Sequence, residues 1–247
     1  MGRVTLFGLD YEKLLLIQPG AFGDIFLCAP IAKWYFDRGW EISWPITKKF
    51  LSTISYFDYV KPIILSDEVL DRSDWLRSDV QKILPYVSQY DKVVNLADRG
   101  PHMTAQLPWE KFDETKYRLS EVPIEEKRNL VWKRNYEKEN SLYSFVNPKK
   151  PYTIASLISS HGDRAIVPNH YTTNLIEVTQ IEGYNIQDWY KLIENSSTIF
   201  SVESAVQCFI EGCGDKLNQD KFLLKRSSII DGATYTYSPS WSTRYFK

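Results

Sequence analysis

A short apolar run that stops on Pro-Gly and gives way to helical spacing dominates the first forty residues. Leu14-Leu15-Leu16-Ile17-Gln18 lacks polar alternation, the mark of a strand covered on both faces, and Pro19-Gly20 ends it. Ile25, Leu27, Cys28, Ile31, Ala32 and Tyr35 then recur at roughly the spacing of one helical face up to Gly39. Asp24 sits where a helix cap belongs, and Pro30 predicts a kink or a late start. A buried strand feeding a helix is half of a βαβ unit, so the chain is committed early to a parallel sheet.

The same rhythm continues. Residues 41–44, 60–65 and 91–96 read as strands, with helices over 48–57 and 75–90, the second open to a break at Pro85. Residues 101–123 read as irregular and aromatic, and 125–143 as a charged helix. Asn147-Pro148-Lys149-Lys150-Pro151 has the composition of a linker. Beyond it, strands are predicted over 152–158, 175–178, 198–202 and 221–224, and helices over 186–194 and 205–211. The expected fold class is α/β, as two Rossmann-like lobes around a central cleft. The first lobe spans 1–146 and the second 147–247.

Composition narrows the function. A 247-residue chain that is 43% hydrophobic can fill such cores, and its net charge of −1 advertises neither nucleic acid nor an anionic membrane. Cys28, Cys208 and Cys213 lack metal-ligand spacing and read as buried thiols of a reducing compartment. No run approaches the ~20 apolar residues that span a bilayer, and the opening lacks the basic-then-apolar pattern of a secretory leader. A cytoplasmic protein without a membrane span is the expectation. Aromatic residues make up 15% of the chain, enough that some rings should lie on exposed or cleft surfaces.

The turn Pro19-Gly20-Ala21-Phe22-Gly23-Asp24 carries the chemistry. It lacks the Gly-Lys-Ser/Thr ending of a phosphate loop and the third glycine of a dinucleotide fingerprint. Two readings of Asp24 stay open: a helix cap, or a carboxylate at the carboxyl end of the sheet, facing the cleft as a general base. The segment Ile17-Gln18-Pro19-Gly20-Ala21-Phe22-Gly23-Asp24-Ile25-Phe26-Leu27-Cys28-Ala29-Pro30-Ile31 resembles the opening of the heptosyltransferase family. A second segment, Thr198-Ile199-Phe200-Ser201-Val202-Glu203-Ser204-Ala205, resembles that family's donor motif, a strand ending in Val-Asp-Thr/Ser-Gly before a helix. Here Glu203 replaces the usual Asp, Ala205 replaces Gly, and Cys208 stands where His is frequent.

The resemblance implies a minimal GT-B architecture and a metal-independent, inverting glycosyltransferase that takes a nucleotide-sugar as substrate, with no cofactor. Asp24 matches the family's catalytic base, and Glu203 and Ser204 match its donor-site acid and hydroxyl. Physically, Glu203 suits ribose or sugar hydroxyls, and Ser204 with the amides behind it suits phosphate oxygens. Gly23 allows close backbone approach to the donor. Ser159-Ser160-His161-Gly162-Asp163-Arg164 follows the first strand of the second lobe, so Ser160 and Arg164 join the donor set, Arg164 as a bidentate phosphate partner. The absence of an Asp-x-Asp pair agrees with a metal-free site.

The acceptor belongs to the first lobe and the middle of the chain. Lys127, Arg128, Trp132, Lys133, Arg134 and Tyr136 interleave cations and rings, as do Lys225, Arg226, Tyr235, Tyr237, Trp241, Arg244, Tyr245 and Lys247. Such surfaces suit a saccharide, the leading expectation, or DNA whose hydroxymethylated base is flipped toward Asp24. A nucleotide-binding module without turnover is the third reading.

Overall fold

A computed structural model of the chain describes residues 11–65, 84–97, 107, 109–159, 162–226 and 237–246. Its elements run β1 (Glu12–Ile17), α1 (Phe22–Phe36), β2 (Trp40–Thr47), α2 (Leu51–Ile54), β3 (Val60–Leu65), β4 (Lys92–Asn95), α3 (Phe112–Leu119) and α4 (Tyr136–Val146). They continue with β5 (Thr153–Ser156), β6 (Leu175–Glu177), α5 (Tyr190–Glu194), β7 (Thr198–Val202), α6 (Ala205–Cys213), β8 (Asp220–Arg226) and β9 (Trp241–Phe246).

The strands form two parallel sheets, ordered β3-β2-β1-β4 and β6-β5-β7-β8-β9. In the first, the chain moves outward from β1 to β2 and β3, then crosses back to place β4 on the other side of β1. The second repeats the manoeuvre, with β6 on one side of β5 and β7 on the other. Each reversal leaves a crevice at the carboxyl ends of two neighbouring strands, where loops diverge and ligands can enter.

Leu14–Ile17 is buried on both faces, as its unbroken apolar run requires. Leu14 and Leu16 face the main core, whereas Leu15 and Ile17 join Leu65 and Ala97 on the opposite face. Strand β7 divides likewise, Ile199 to the main core and Phe200 and Val202 to a second cluster. The main core therefore runs through one face of each sheet. Helix α1, apolar nearly all round, is buried within it, and Phe26 meets Phe209 of α6 at 5.2 Å between ring centroids. Pro30 leaves α1 continuous from Phe22 to Phe36.

Several further expectations need correction. The helix over 48–57 shortens to a 3-10 turn at Lys48–Phe50 and one α turn at Leu51–Ile54. The irregular region contains α3, whose Asp113 and Glu114 in the first turn and Lys116 and Arg118 in the last complement the helix dipole. The charged helix over 125–143 is divided into a 3-10 turn at Ile124–Arg128 and α4. Between them the backbone bonds elsewhere: Leu130 N–H donates to Gly212 O at 2.9 Å and Lys133 N–H to Tyr56 O at 2.8 Å. The strand over 221–224 is followed by a further one, since Trp241–Phe246 pairs in parallel with β8. Of the helix expected over 75–90, Leu84–Gln89 is a 3-10 turn and 75–83 lies outside the described residues.

Polar contacts also join the two halves. Gln187 Nε2 donates to Thr53 O at 3.0 Å, and the Tyr56 hydroxyl donates to Asp188 Oδ1 at 2.6 Å. Burial, and then this bond to Asp188, pushes the Tyr56 hydroxyl well above its usual range. Tyr56→Phe strips a charged, buried acceptor of this donor, so a stability loss of about 2 kcal/mol is expected. Urea unfolding should show it as a lower midpoint at constant slope; an unchanged midpoint would show that Asp188 finds another donor.

Candidate functional site

The first crevice opens between the ends of β1 and β4. Leu96 N–H donates to Ile17 O at 2.9 Å there, and Gln18 anchors the turn that follows. Gln18 Nε2 donates to Gly20 O at 2.9 Å, while Trp44 Nε1 donates to Gln18 O at 2.7 Å. Thr47 ties down Pro19 O through its backbone N–H at 2.9 Å and its hydroxyl at 3.1 Å. The turn enters α1 through Ala21, the N-cap residue, at φ 65° and ψ 120°. A residue with a Cβ rarely adopts such a positive φ, so the entry to α1 is held by its surroundings.

Asp24 is therefore not the cap of α1. It lies in the first turn, 1% exposed, where the helix dipole favours a negative charge. Lys116 of α3, 2% exposed, puts its Nζ 3.8 Å from Asp24 Oδ1. The same ammonium donates to Gln18 Oε1 and to Leu96 O, each at 2.6 Å, and lies 4.6 Å from the Phe112 ring. A lysine thus bridges the two strand ends that define the crevice. Lys116 escaped the sequence reading because its helix was taken as irregular; its signal is the acidic-then-basic charge order of 113–118.

The second crevice opens between β5 and β7. Ser204 caps α6, its Oγ accepting from Gln207 N–H at 3.3 Å and lying 3.2 Å from Ser156 Oγ at the end of β5. Glu203, half-buried, accepts a 2.6 Å hydrogen bond from the Tyr237 hydroxyl. Tyr237 is carried by the segment leading into β9, which α6 pins down: buried Glu211 accepts from Ser238 N–H at 2.9 Å and Trp241 Nε1 at 2.7 Å. Two hydroxyls, a carboxylate and the first-turn amides of a nine-residue helix thus surround one crevice, an arrangement suited to a diol and an anion together.

The two crevices meet through their helices. A Cβ at Gly23 would lie 3.4 Å from Cys208 Sγ and 3.8 Å from Ala205 Cα, so the small residue lets the first turns of α1 and α6 approach. Burial above all holds the Cys208 thiol well above its usual range; Lys127 opposes this and Asp24 adds to it.

Gly23, next to Asp24 in α1, thus faces the start of α6, which follows Glu203 and Ser204. Arg164 stands apart: its guanidinium, 56% exposed, is engaged bidentately by Glu177 at 2.8 and 2.5 Å. Binding a phosphate there requires exchange of that partner. Ser160 lies outside the described residues, as do His161, Tyr235 and Lys247.

The interleaved cations and rings largely serve the fold. Lys127 pairs with buried Asp113 at 2.6 Å, Arg128 reaches Glu211 at 3.4 Å, and Arg134 pairs with Glu139. Trp132 packs on Tyr190 and Phe209, and Arg244 lies over Phe222. Carboxylate-paired cations have little charge to offer a phosphate backbone.

No protein-family model matches the chain, and no curated protein matches it by sequence. Solved structures do match. A glycosyl transferase family 9 protein from Veillonella parvula superposes with a TM-score of 0.63 over 96% of this chain and 87% of its own, at 12% identity. The ADP-heptose LPS heptosyltransferase II of E. coli gives 0.58 over 94% and 90%, at 11% identity. The E. coli heptosyltransferase WaaC, solved with ADP, gives 0.51 over 95% and 93%, at 9% identity. The chain has the two-sheet GT-B fold of these glycosyltransferases. No helix among the described residues is long and apolar enough to cross a membrane.

Proposed function

We propose that the chain is a glycosyltransferase that moves a sugar from a nucleoside-diphosphate sugar to a saccharide hydroxyl, with inversion and without a metal. The observation that carries the reading is the meeting of the two crevices, one holding Asp24 and the other the Ser204-capped N-terminus of α6, in a fold shared with nucleotide-sugar enzymes. The residues divide the work by their chemistry. Asp24 takes the proton of the acceptor hydroxyl as its oxygen attacks the anomeric carbon from the face opposite the leaving group. The negative charge that grows on the departing diphosphate meets the first-turn amides of α6 and the Ser204 hydroxyl, so a helix end does the work a divalent ion does elsewhere. Glu203, oriented by Tyr237, accepts from ribose or sugar hydroxyls. With Asp24 only 1% exposed, the reading requires α1 and α6 to part near Gly23 and Ala205 for the acceptor to arrive. The first lobe, 1–146, takes the acceptor and 147–247 the donor.

The test is thermal unfolding with UDP, GDP, ADP, CMP or NAD, each in chelator and in magnesium. A nucleotide that binds only the folded chain adds about 2.7 kcal/mol at a hundred times its dissociation constant. A shift with one nucleoside diphosphate, equal in both conditions, is the expected result and names the donor. A shift with NAD alone, or a strict need for magnesium, overturns the reading.

A further inference from the structure

The structure holds a second charged side chain at the proposed catalytic centre, and it comes from a helix that matches neither motif. Lys116 is as buried as Asp24, and each of its contacts lies at the first crevice: the Gln18 side chain beyond β1, the Leu96 carbonyl beyond β4, the Phe112 ring, and Asp24 itself. Its two short hydrogen bonds go to neutral oxygens. Towards Asp24 it stands at 3.8 Å, beyond hydrogen-bond length, and so acts on that carboxylate through charge.

A carboxylate removed from water takes up a proton unless a cation or hydrogen bonds compensate, and a protonated acid cannot accept one from a hydroxyl. Other titratable groups come near from the packed elements. From α6, Cys208 is buried and its thiol is held in the neutral form. Lys127 is engaged by Asp113 of α3 at 2.6 Å. Among the contacts described, Lys116 of α3 brings an ammonium to 3.8 Å from Asp24 Oδ1.

Resting on the transferase reading above, we propose that Lys116 is the positioning residue of the Asp24 base: fixed between the ends of β1 and β4, its ammonium keeps the buried side chain ionised. Both parts of that role come from one geometry. The hydrogen bonds to Gln18 and Leu96 fix where the charge stands, and the longer gap to Asp24 leaves the base without a short shared proton from its cation.

The experiment follows the Asp24 carboxyl carbon by carbon-13 NMR during pH titration of the ligand-free chain, the signal being assigned by its loss in Asp24→Asn. Wild type is compared with Lys116→Met and Lys116→Gln, either of which suffices if the other does not fold. The expected result is an ionised Asp24 at neutral pH in wild type, and a protonation midpoint raised by at least about one pH unit, tenfold in proton affinity, in the neutral variant. The acidic limb of the transfer rate should move with it. An unmoved midpoint overturns the proposal, and so does an Asp24 protonated at neutral pH in wild type, which needs no variant. Because the titration requires no turnover, a chain that transfers no sugar defeats the transferase reading while the NMR result still decides this one.

Discussion

Asp24→Asn is expected to slow sugar transfer by at least about a hundredfold while leaving nucleoside-diphosphate affinity unchanged. The substitution keeps the shape of the side chain and removes its capacity to take a proton. Nucleotide binding is assigned to the other crevice, at Glu203, Ser204 and the start of α6, and should not respond. Lys116 keeps its bonds to Gln18 and Leu96 in the variant, but loses its ionic partner in a buried place. Some loss of stability therefore accompanies the loss of rate. Rate and affinity are to be measured at a temperature where both proteins are fully folded. Transfer that survives the substitution would remove Asp24 from the mechanism. Nucleotide affinity with no transfer in either protein would favour the binding-module reading.

The largest structural effect is expected at Gly214. This residue closes α6 at φ 56° and ψ −133°, a conformation that side chains other than hydrogen strain to adopt. A Cβ there would also fall 2.5 Å from Arg128 O and 3.2 Å from Arg128 Cβ, so backbone would have to move. Gly214→Ala should cost on the order of 3 kcal/mol, through strain and displaced packing together. The damage should spread, because the neighbouring backbone bond from Leu130 N–H to Gly212 O joins the 129–135 segment to α6. Urea unfolding monitored by Trp fluorescence measures it; a midpoint equal to that of wild type would mean that residues 128–130 yield at no cost.

Much of the architecture was legible in the sequence because its signals are local. The run Leu14–Ile17 is an apolar stretch ended by Pro-Gly, Thr198–Val202 is a short buried run, and both, like Val60–Leu65, sit in the sheets where expected. The Pro-Gly turn placed Asp24 near a sheet end, and Ser204 was read as a phosphate-facing hydroxyl before a helix, where the structure makes it the cap of α6. What failed was the middle and the end of the chain. Residues 129–135 sit in a charged stretch that reads as helix, yet their backbone bonds to Gly212 and Tyr56, partners far away in sequence. Helix α3 carries few apolar positions on a face, so periodicity passed it over. Trp241–Phe246 was read for the chemistry of its rings, although a strand of the second sheet lay within it.

The sequence by itself determined that buried parallel strands alternate with helices, and it singled out two turns, at Asp24 and at Glu203-Ser204, as candidates for a site. Strand periodicity and breaker residues act within a few positions, so they survive without a fold. Only the tertiary structure decided that the two turns meet, that Gly23 faces Cys208 and Ala205, that Arg164 is held by Glu177, and that Lys116 comes to Asp24 from ninety-two positions away. A buried charge needs a partner because water is excluded, and which residue supplies it depends on packing that no local pattern records.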